Sequence, residues 1–269
     1  MSISNQLAET TLRIEAQLPQ GVSTGSGFLF NIQQNGNVSV PILLTNKHVV
    51  TGSTNIKVII TVTDSTGNQQ NTELNLGAYP VAWHDHPDQS VDLTAIAIAP
   101  YLNDLVQRSL TPRIKCLGFS EIPTEEELAN LSFVENILMI GYPNGLWDNI
   151  NNYPLFRSGV SATHPGKDFR GKKEFVVDIA AFPGSSGSPV FLFNEGSYST
   201  SNALIMGTRV KLLGILYAGP QYRADGQIII QTVPTSQVPI SQTSIPMNLG
   251  YVISSKEIER FKELFPLPS

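Results

Sequence analysis

The sequence predicts an all-β protein, a sandwich or barrel, on three observations. Short runs rich in Val, Ile, Leu and Phe recur along both halves of the 269-residue chain. Turn residues such as Asn35-Gly36-Asn37 and Asp64-Ser65-Thr66-Gly67 separate them. Helical spacing of apolar residues is confined to brief stretches. Branched and aromatic side chains suit a pleated, half-buried surface, and many short strands punctuated by turns build sandwiches or barrels.

The elements follow in order. Leu12, Ile14 and Ala16 alternate with Arg13 and Glu15, which marks a half-buried strand. Phe28–Ile32, Val38–Thr45, Asn55–Val62 and Leu93–Ala99 read as further strands. Residues 111–131 read as a linker between an N-terminal lobe, 1–110, and a C-terminal lobe, 132–269. Pro100, Pro112 and Pro123 punctuate this hinge region. Thr124 caps a short surface helix that opens with Glu125-Glu126-Glu127, because acids favour a first helical turn. Strands resume at Phe133–Ile140, Leu155–Ser161, Glu174–Ile179, Val190–Phe193, Lys211–Tyr217, Gln227–Thr232 and Gly250–Ile253. Two polar stretches, Asn194–Arg209 and Gly219–Asn248, read as long loops that shape a groove. Finally, Ile258, Phe261 and Leu264-Phe265 follow Ser254-Ser255 and precede Pro266, the pattern of a capped C-terminal α-helix.

Composition narrows the function classes. Charged residues make up 14% and hydrophobic ones 41%, as in ordinary folded proteins. A net charge of −5 provides no global basic field for nucleic acid or anionic lipid. No run approaches the ~18 apolar residues needed to span a bilayer, and residues 1–6 have no basic start or apolar stretch, so no membrane role and a cytoplasmic location are expected. The single cysteine, Cys116, allows no internal disulfide and reads as a buried structural thiol.

Three segments carry chemistry. Ala181-Phe182-Pro183-Gly184-Ser185-Ser186-Gly187-Ser188-Pro189-Val190 is a tight turn between apolar runs. Such a turn can aim backbone N–H groups at one point beside a serine hydroxyl. Upstream, His48 follows the apolar run Leu43-Leu44-Thr45, and Asp92 opens the apolar stretch Leu93–Ala99. A serine needs a base to become nucleophilic, an imidazole serves near pH 7, and a carboxylate holds its tautomer. Ser185 and Ser188 compete with Ser186, Asp85 and Asp88 with Asp92, and His84, His86 and His164 with His48. His84 and His86 could suggest a metal site, but Pro87 and polar neighbours indicate a loop without a third ligand; neither metal nor cofactor is expected.

These pieces, with Gly25-Ser26-Gly27-Phe28-Leu29-Phe30, Thr45-Asn46-Lys47-His48-Val49-Val50, Val91-Asp92-Leu93, Ile140-Gly141-Tyr142-Pro143 and Leu249-Gly250-Tyr251-Val252-Ile253, resemble trypsin-like serine peptidases of the chymotrypsin fold. Within them the likeness is to the HtrA/Deg type, and it covers most of residues 10–262. The resemblance implies two six-stranded antiparallel β-barrels with a C-terminal α-helix. It also implies His48, Asp92 and Ser186 as a triad, with the N–H groups of Gly184 and Ser186 as the oxyanion hole. Ala180 would then stand at the base of the substrate pocket, walled by Ala181, Ile215, Leu216 and Tyr217. An alanine there offers no countercharge, so cleavage of a protein or peptide after small or medium aliphatic residues is expected.

Ser185 stands where secreted digestive relatives carry an aspartate, so activation through a new N-terminal amine is not expected. With the sequence ending shortly after Ile253, no following PDZ domain is expected, and a monomer is expected because the first aromatic is Phe28. The alternative is a catalytically silent scaffold or peptide-binding module on the same fold. An α/β-hydrolase esterase is excluded by chain order, which here runs His, Asp, Ser.

Overall fold

A computed structural model describes residues 3–36, 38–200, 203–227 and 240–267. After a short helix α1 (Ile3–Ala8), the N-terminal half builds one antiparallel sheet. Its strands are β1 (Thr11–Leu18), β2 (Gly21–Asn35), β3 (Val38–Thr45), β4 (Asn55–Thr63), β5 (Gln69–Gly77), β6 (Trp83–Asp85) and β7 (Thr94–Ala97). They lie in the order β5-β4-β1-β2-β3-β7-β6. A one-turn helix α2 (Lys47–Val50) follows β3 directly.

The segment between the halves is built onto its neighbours. Helix α3 (Ala99–Gln107) leads to β8 (Thr111–Pro112), which pairs with β4, and Leu117 bridges Phe30. Helix α4 (Glu125–Ala129) starts at Thr124 as expected. The Thr124 hydroxyl accepts from Glu127 N at 3.1 Å and Glu127 Oε2 from Thr124 N at 2.8 Å, a reciprocal capping box.

The C-terminal half closes into a six-stranded barrel. Its strands are β9 (Asn136–Gly141), β10 (Leu155–Ser161), β11 (Glu174–Asp178), β12 (Pro189–Asn194), β15 (Arg209–Ala218) and β18 (Leu249–Ser254). They close in the order β10-β11-β18-β15-β12-β9. Two hairpins, β13–β14 (Ser197–Ser199 and Leu204–Met206) and β16–β17 (Gln221–Gln227 and Ile240–Pro246), occupy the stretches read as long loops. Most of the expected strand Gln227–Thr232 falls outside the described residues.

Two expectations change. Among the described residues only the C-terminal sheet closes; the N-terminal sheet has eight strands, and its edge strands β5 and β6 do not pair with each other. The expected C-terminal α-helix is a 3-10 turn, Ser255–Phe261. Ile258 and Phe261, three residues apart, lie on one side of this turn. Ile258 and Phe261 are fully buried there.

Three apolar clusters hold the molecule. One fills the N-terminal sheet around Ile14, Leu43, Ile60 and Ile96, and another fills the barrel around Met139, Val177, Val190 and Val252. The third joins the halves: Phe28, Phe30 and Leu44 meet Ile140, Phe191, Ile215 and Phe261. Burial of this kind contributes roughly 25 cal/mol per Å² of apolar surface, so the shared cluster fixes one half against the other. No helix among the described residues is long and apolar enough to cross a membrane.

Candidate active site

His48 and Asp92 come together at the end of the N-terminal sheet. Thr45 ends β3 and Asn46 turns the chain into α2, which presents His48 with its side chain about half exposed. Asp92 lies two residues before β7, the strand that pairs with β3. Its Oδ2 is 2.5 Å from His48 Nδ1, and its Oδ1 accepts from His48 N at 3.2 Å. Buried Asn46 donates from Nδ2 to the Asp92 carbonyl at 2.8 Å. Two carboxylate contacts and one side-chain strut therefore fix the ring, and such a pair holds an imidazole with Nε2 free to act as a base.

The three serines of the turn differ in access. Ser185 and Ser188 are fully buried, and their hydroxyls have no hydrogen-bond partner among the described residues. Ser186 is half-buried and donates to the Tyr217 carbonyl at 3.3 Å. The described hydrogen bonds include none between Ser186 and His48.

Backbone bonds fix each peptide of the turn. The N–H groups of Ser185, Gly187 and Ser188 donate to Phe182 O, Leu216 O and Ser185 O at 3.0, 2.8 and 3.1 Å. Those of Gly184 and Ser186 make no hydrogen bond among the described residues. Both residues are half-buried, so these two donors face outward from the turn without a described protein partner. Gly184 and Gly187 have φ of +83° and +85°, conformations that favour glycine. A Cβ at Gly187 would lie 1.9 Å from Ser26 O, and one at Gly184 would lie 2.6 Å from Tyr142 O.

A cleft of about 260 Å³ opens beside Ser186, lined by Ala181, Phe182, Pro183, Leu216, Ala218, Gly219 and Pro220. Of the expected pocket residues, Ala181 and Leu216 are there. Ala180 is not among its lining residues. Instead the Ala180 carbonyl accepts from Arg157 Nη1 at 2.6 Å. Ile215 is fully buried in the shared core, since it points inward between its neighbours on β15. Tyr217 lines a second cleft with Asp92, Val91 and Glu174. Its hydroxyl donates to Glu174 Oε2 at 2.5 Å, and burial with this bond holds the phenol well above its usual range.

The other candidates lie elsewhere. His84 is on β6, not in a loop, and stacks edge-on against Phe265. His86 is buried, accepts from Asp88 N at 3.1 Å and faces Glu257 at 3.4 Å. His164 is buried against the Leu131 carbonyl at 3.1 Å. Asp85 accepts from the Tyr79 hydroxyl, and Asp88 from Ser90. Burial pushes the Cys116 thiol up to about 11, which makes it a poor nucleophile. Sequence reasoning gave no role to Asn46 or Asn144 and quoted Ser26 only within a motif. Their contributions are contacts across the fold, which spacing does not reveal.

A closed barrel docked on a β-sheet, with a His–Asp pair and an accessible serine turn beside the junction, defines the class of trypsin-like peptidases. The sequence match agrees: the trypsin-like peptidase domain matches residues 25–198, so the chain belongs to that family. No curated protein matches it. Similar solved structures include the Rv3671c protease of M. tuberculosis in its active form, at 14% identity and a TM-score of 0.49, over 99% of this chain and 85% of that one. The serine endoprotease of Yersinia pestis is 15% identical at a TM-score of 0.46, over 98% and 66%. The HtrA-type protease AlgW with a decapeptide is 16% identical at 0.43, over 95% and 64%.

Proposed function

We propose that this peptidase is a serine endopeptidase with Ser186 as nucleophile, His48 as general base and Asp92 as the group that orients it. The observation that carries the reading is the 2.5 Å contact between His48 Nδ1 and Asp92 Oδ2, together with the one turn serine that is not buried, whose hydroxyl reaches Tyr217 O on the wall of the Asp92 cleft. Ser186 Oγ bonds to the substrate carbonyl carbon while its proton passes to His48 Nε2. The developing oxyanion takes the free N–H groups of Gly184 and Ser186. The C–N bond then breaks, the amine leaves with the proton from His48, and water releases the acyl group by the same steps in reverse. A change of χ1 at Ser186, from Tyr217 O toward His48, is the motion this reading requires.

The substrate is a peptide, and the apolar cleft of Ala181, Phe182 and Leu216 favours an aliphatic residue on the acyl side of the cut. We place the protein in the cytoplasm, where its single cysteine suits a reducing compartment; cell fractionation tests this. For the chemistry, the test is a fluorophosphonate probe followed by peptide mapping. Label on Ser186, lost in Ser186→Ala with a fall in kcat on the order of a million-fold, supports the reading. An unlabelled Ser186 in folded protein returns the silent scaffold, which the present Ser186–Tyr217 bond would suit.

A further inference from the structure

The two free N–H groups of the turn are aimed by carbonyls at the far end of their own peptide units. A trans peptide is planar, so its C=O and N–H point opposite ways. Gly184 N shares its unit with Pro183 O, which accepts from Asn144 N at 2.6 Å. Ser186 N shares its unit with Ser185 O, which accepts from Ser188 N at 3.1 Å. The two remaining units are held from the N-terminal half by one residue. Ser26 Oγ donates to Gly184 O at 2.9 Å, and Ser26 N donates to Ser186 O at 2.8 Å.

Ser26 is itself fully buried and saturated. Its hydroxyl accepts from Tyr142 N at 3.0 Å, and its carbonyl accepts from Thr45 Oγ1 at 2.7 Å. Asn144 holds φ of +50° and ψ of +26°, a left-handed conformation. Its side chain is exposed and makes no hydrogen bond among the described residues. Packing therefore does not explain it; the conformation does, because it turns Asn144 N toward Pro183 O. Arg13 supports the same corner by donating from Nε to Gly145 O at 3.1 Å while its guanidinium lies 4.0 Å over Trp147. Uncommon backbone conformations of this kind persist where a site depends on them.

We infer that Asn144 and Ser26 are positioning residues that set the two oxyanion-binding N–H groups of this site. The inference rests on the serine-peptidase reading. Asparagine tolerates the left-handed region and glycine adopts it freely, whereas a β-branched residue disfavours it. Asn144→Val should therefore depopulate the aimed peptide about tenfold, given the usual penalty for a Cβ in that conformation. Ser26→Ala leaves the half-buried Gly184 carbonyl and the buried Tyr142 N–H without these partners, and a loss of roughly tenfold or more follows.

The test measures kcat and KM on a peptide p-nitroanilide, the fluorophosphonate rate at Ser186, and near-UV circular dichroism of each variant. In Asn144→Val, kcat and the labelling rate fall about tenfold, KM stays within about twofold and the folded signal is kept. Asn144→Gly restores kcat to within about twofold of wild type, which a role for the side chain itself would not allow. Ser26→Ala repeats the loss in kcat, with KM again steady. Wild-type kcat in either variant overturns the role of that residue while the peptidase reading stands, and a loss that glycine fails to restore overturns the conformational account. A folded wild-type chain that never labels at Ser186 overturns the peptidase reading and this inference with it.

Discussion

Gly187→Ala should be among the most destabilising single changes available to this protein, and Gly67→Ala supplies its control. The two glycines share a conformation, with φ of +85° and +89°. A Cβ in the left-handed region costs about 1–2 kcal/mol at either place. Their surroundings differ. A Cβ at Gly67 meets nothing within 4 Å, whereas one at Gly187 would stand 1.9 Å from Ser26 O and 2.5 Å from Thr45 Oγ1. Relief requires the turn to withdraw from β2 by roughly an ångström, which breaks the bonds of Ser26 to Ser186 O and Gly184 O and strains the Thr45 bond to Ser26 O. At about 1 kcal/mol for each of the three, the excess over the control is about 3 kcal/mol. For a chain of this length that is roughly 6–12 °C in Tm. Thermal unfolding followed by circular dichroism at one pH reads the difference directly. If the two alanine variants melt within 2 °C of each other, the turn is not held against Ser26 as described.

Other expectations follow from the same geometry. Asp92→Asn should lower kcat by about 10⁴, the scale known for that change in serine-protease triads, with folding intact; an equal loss from Asp88→Asn with Asp92→Asn nearly silent would move the orienting role. Digestion of a proteome-derived peptide library should yield cuts after Val, Ala or Leu, because no acid among the described residues lines the cleft beside Ser186; a dominant Arg or Lys signature contradicts this. Burial, with help from Asp85, raises Tyr79 from 10.0 to about 12. Its contribution to stability is therefore complete below pH 10 and lost as the pH rises through about 12, since the folded state keeps a proton the unfolded chain has released. Tyr79→Phe should flatten that alkaline limb in urea titrations at pH 9 to 11, and an unchanged slope would refute the assignment.

Much of the fold is legible where a strand buries one face. Asn55–Thr63, with Ile56, Val58, Ile60 and Val62 buried in alternation, falls within one residue of the expected Asn55–Val62. The strand Gln69–Gly77 is hidden in the sequence because it lies at a sheet edge, where only Leu74 and Leu76 turn inward among polar neighbours. Closure is not legible either: whether edge strands meet depends on pairing between distant segments. Likewise, the apolar spacing of Ile258 and Phe261 serves a 3-10 turn as well as an α-helix. At the site, His48, Asp92 and Ser186 stand in recognisable phrases of sequence. Ser26, by contrast, acts on Gly184 across 158 residues, and Asn144 acts through its backbone alone.

The arrangement of the serine turn bears on when the site takes shape. On the serine-peptidase reading, its nucleophilic hydroxyl comes from the later-synthesised half, and the imidazole and carboxylate from the earlier one. The struts that shape the turn come from both, through Ser26 and the corner at Asn144. Neither half alone, nor a chain opened along the shared Phe28–Phe191 core, would hold the proposed anion site in this geometry. On that reading, the anion site is therefore complete only once the two halves have docked.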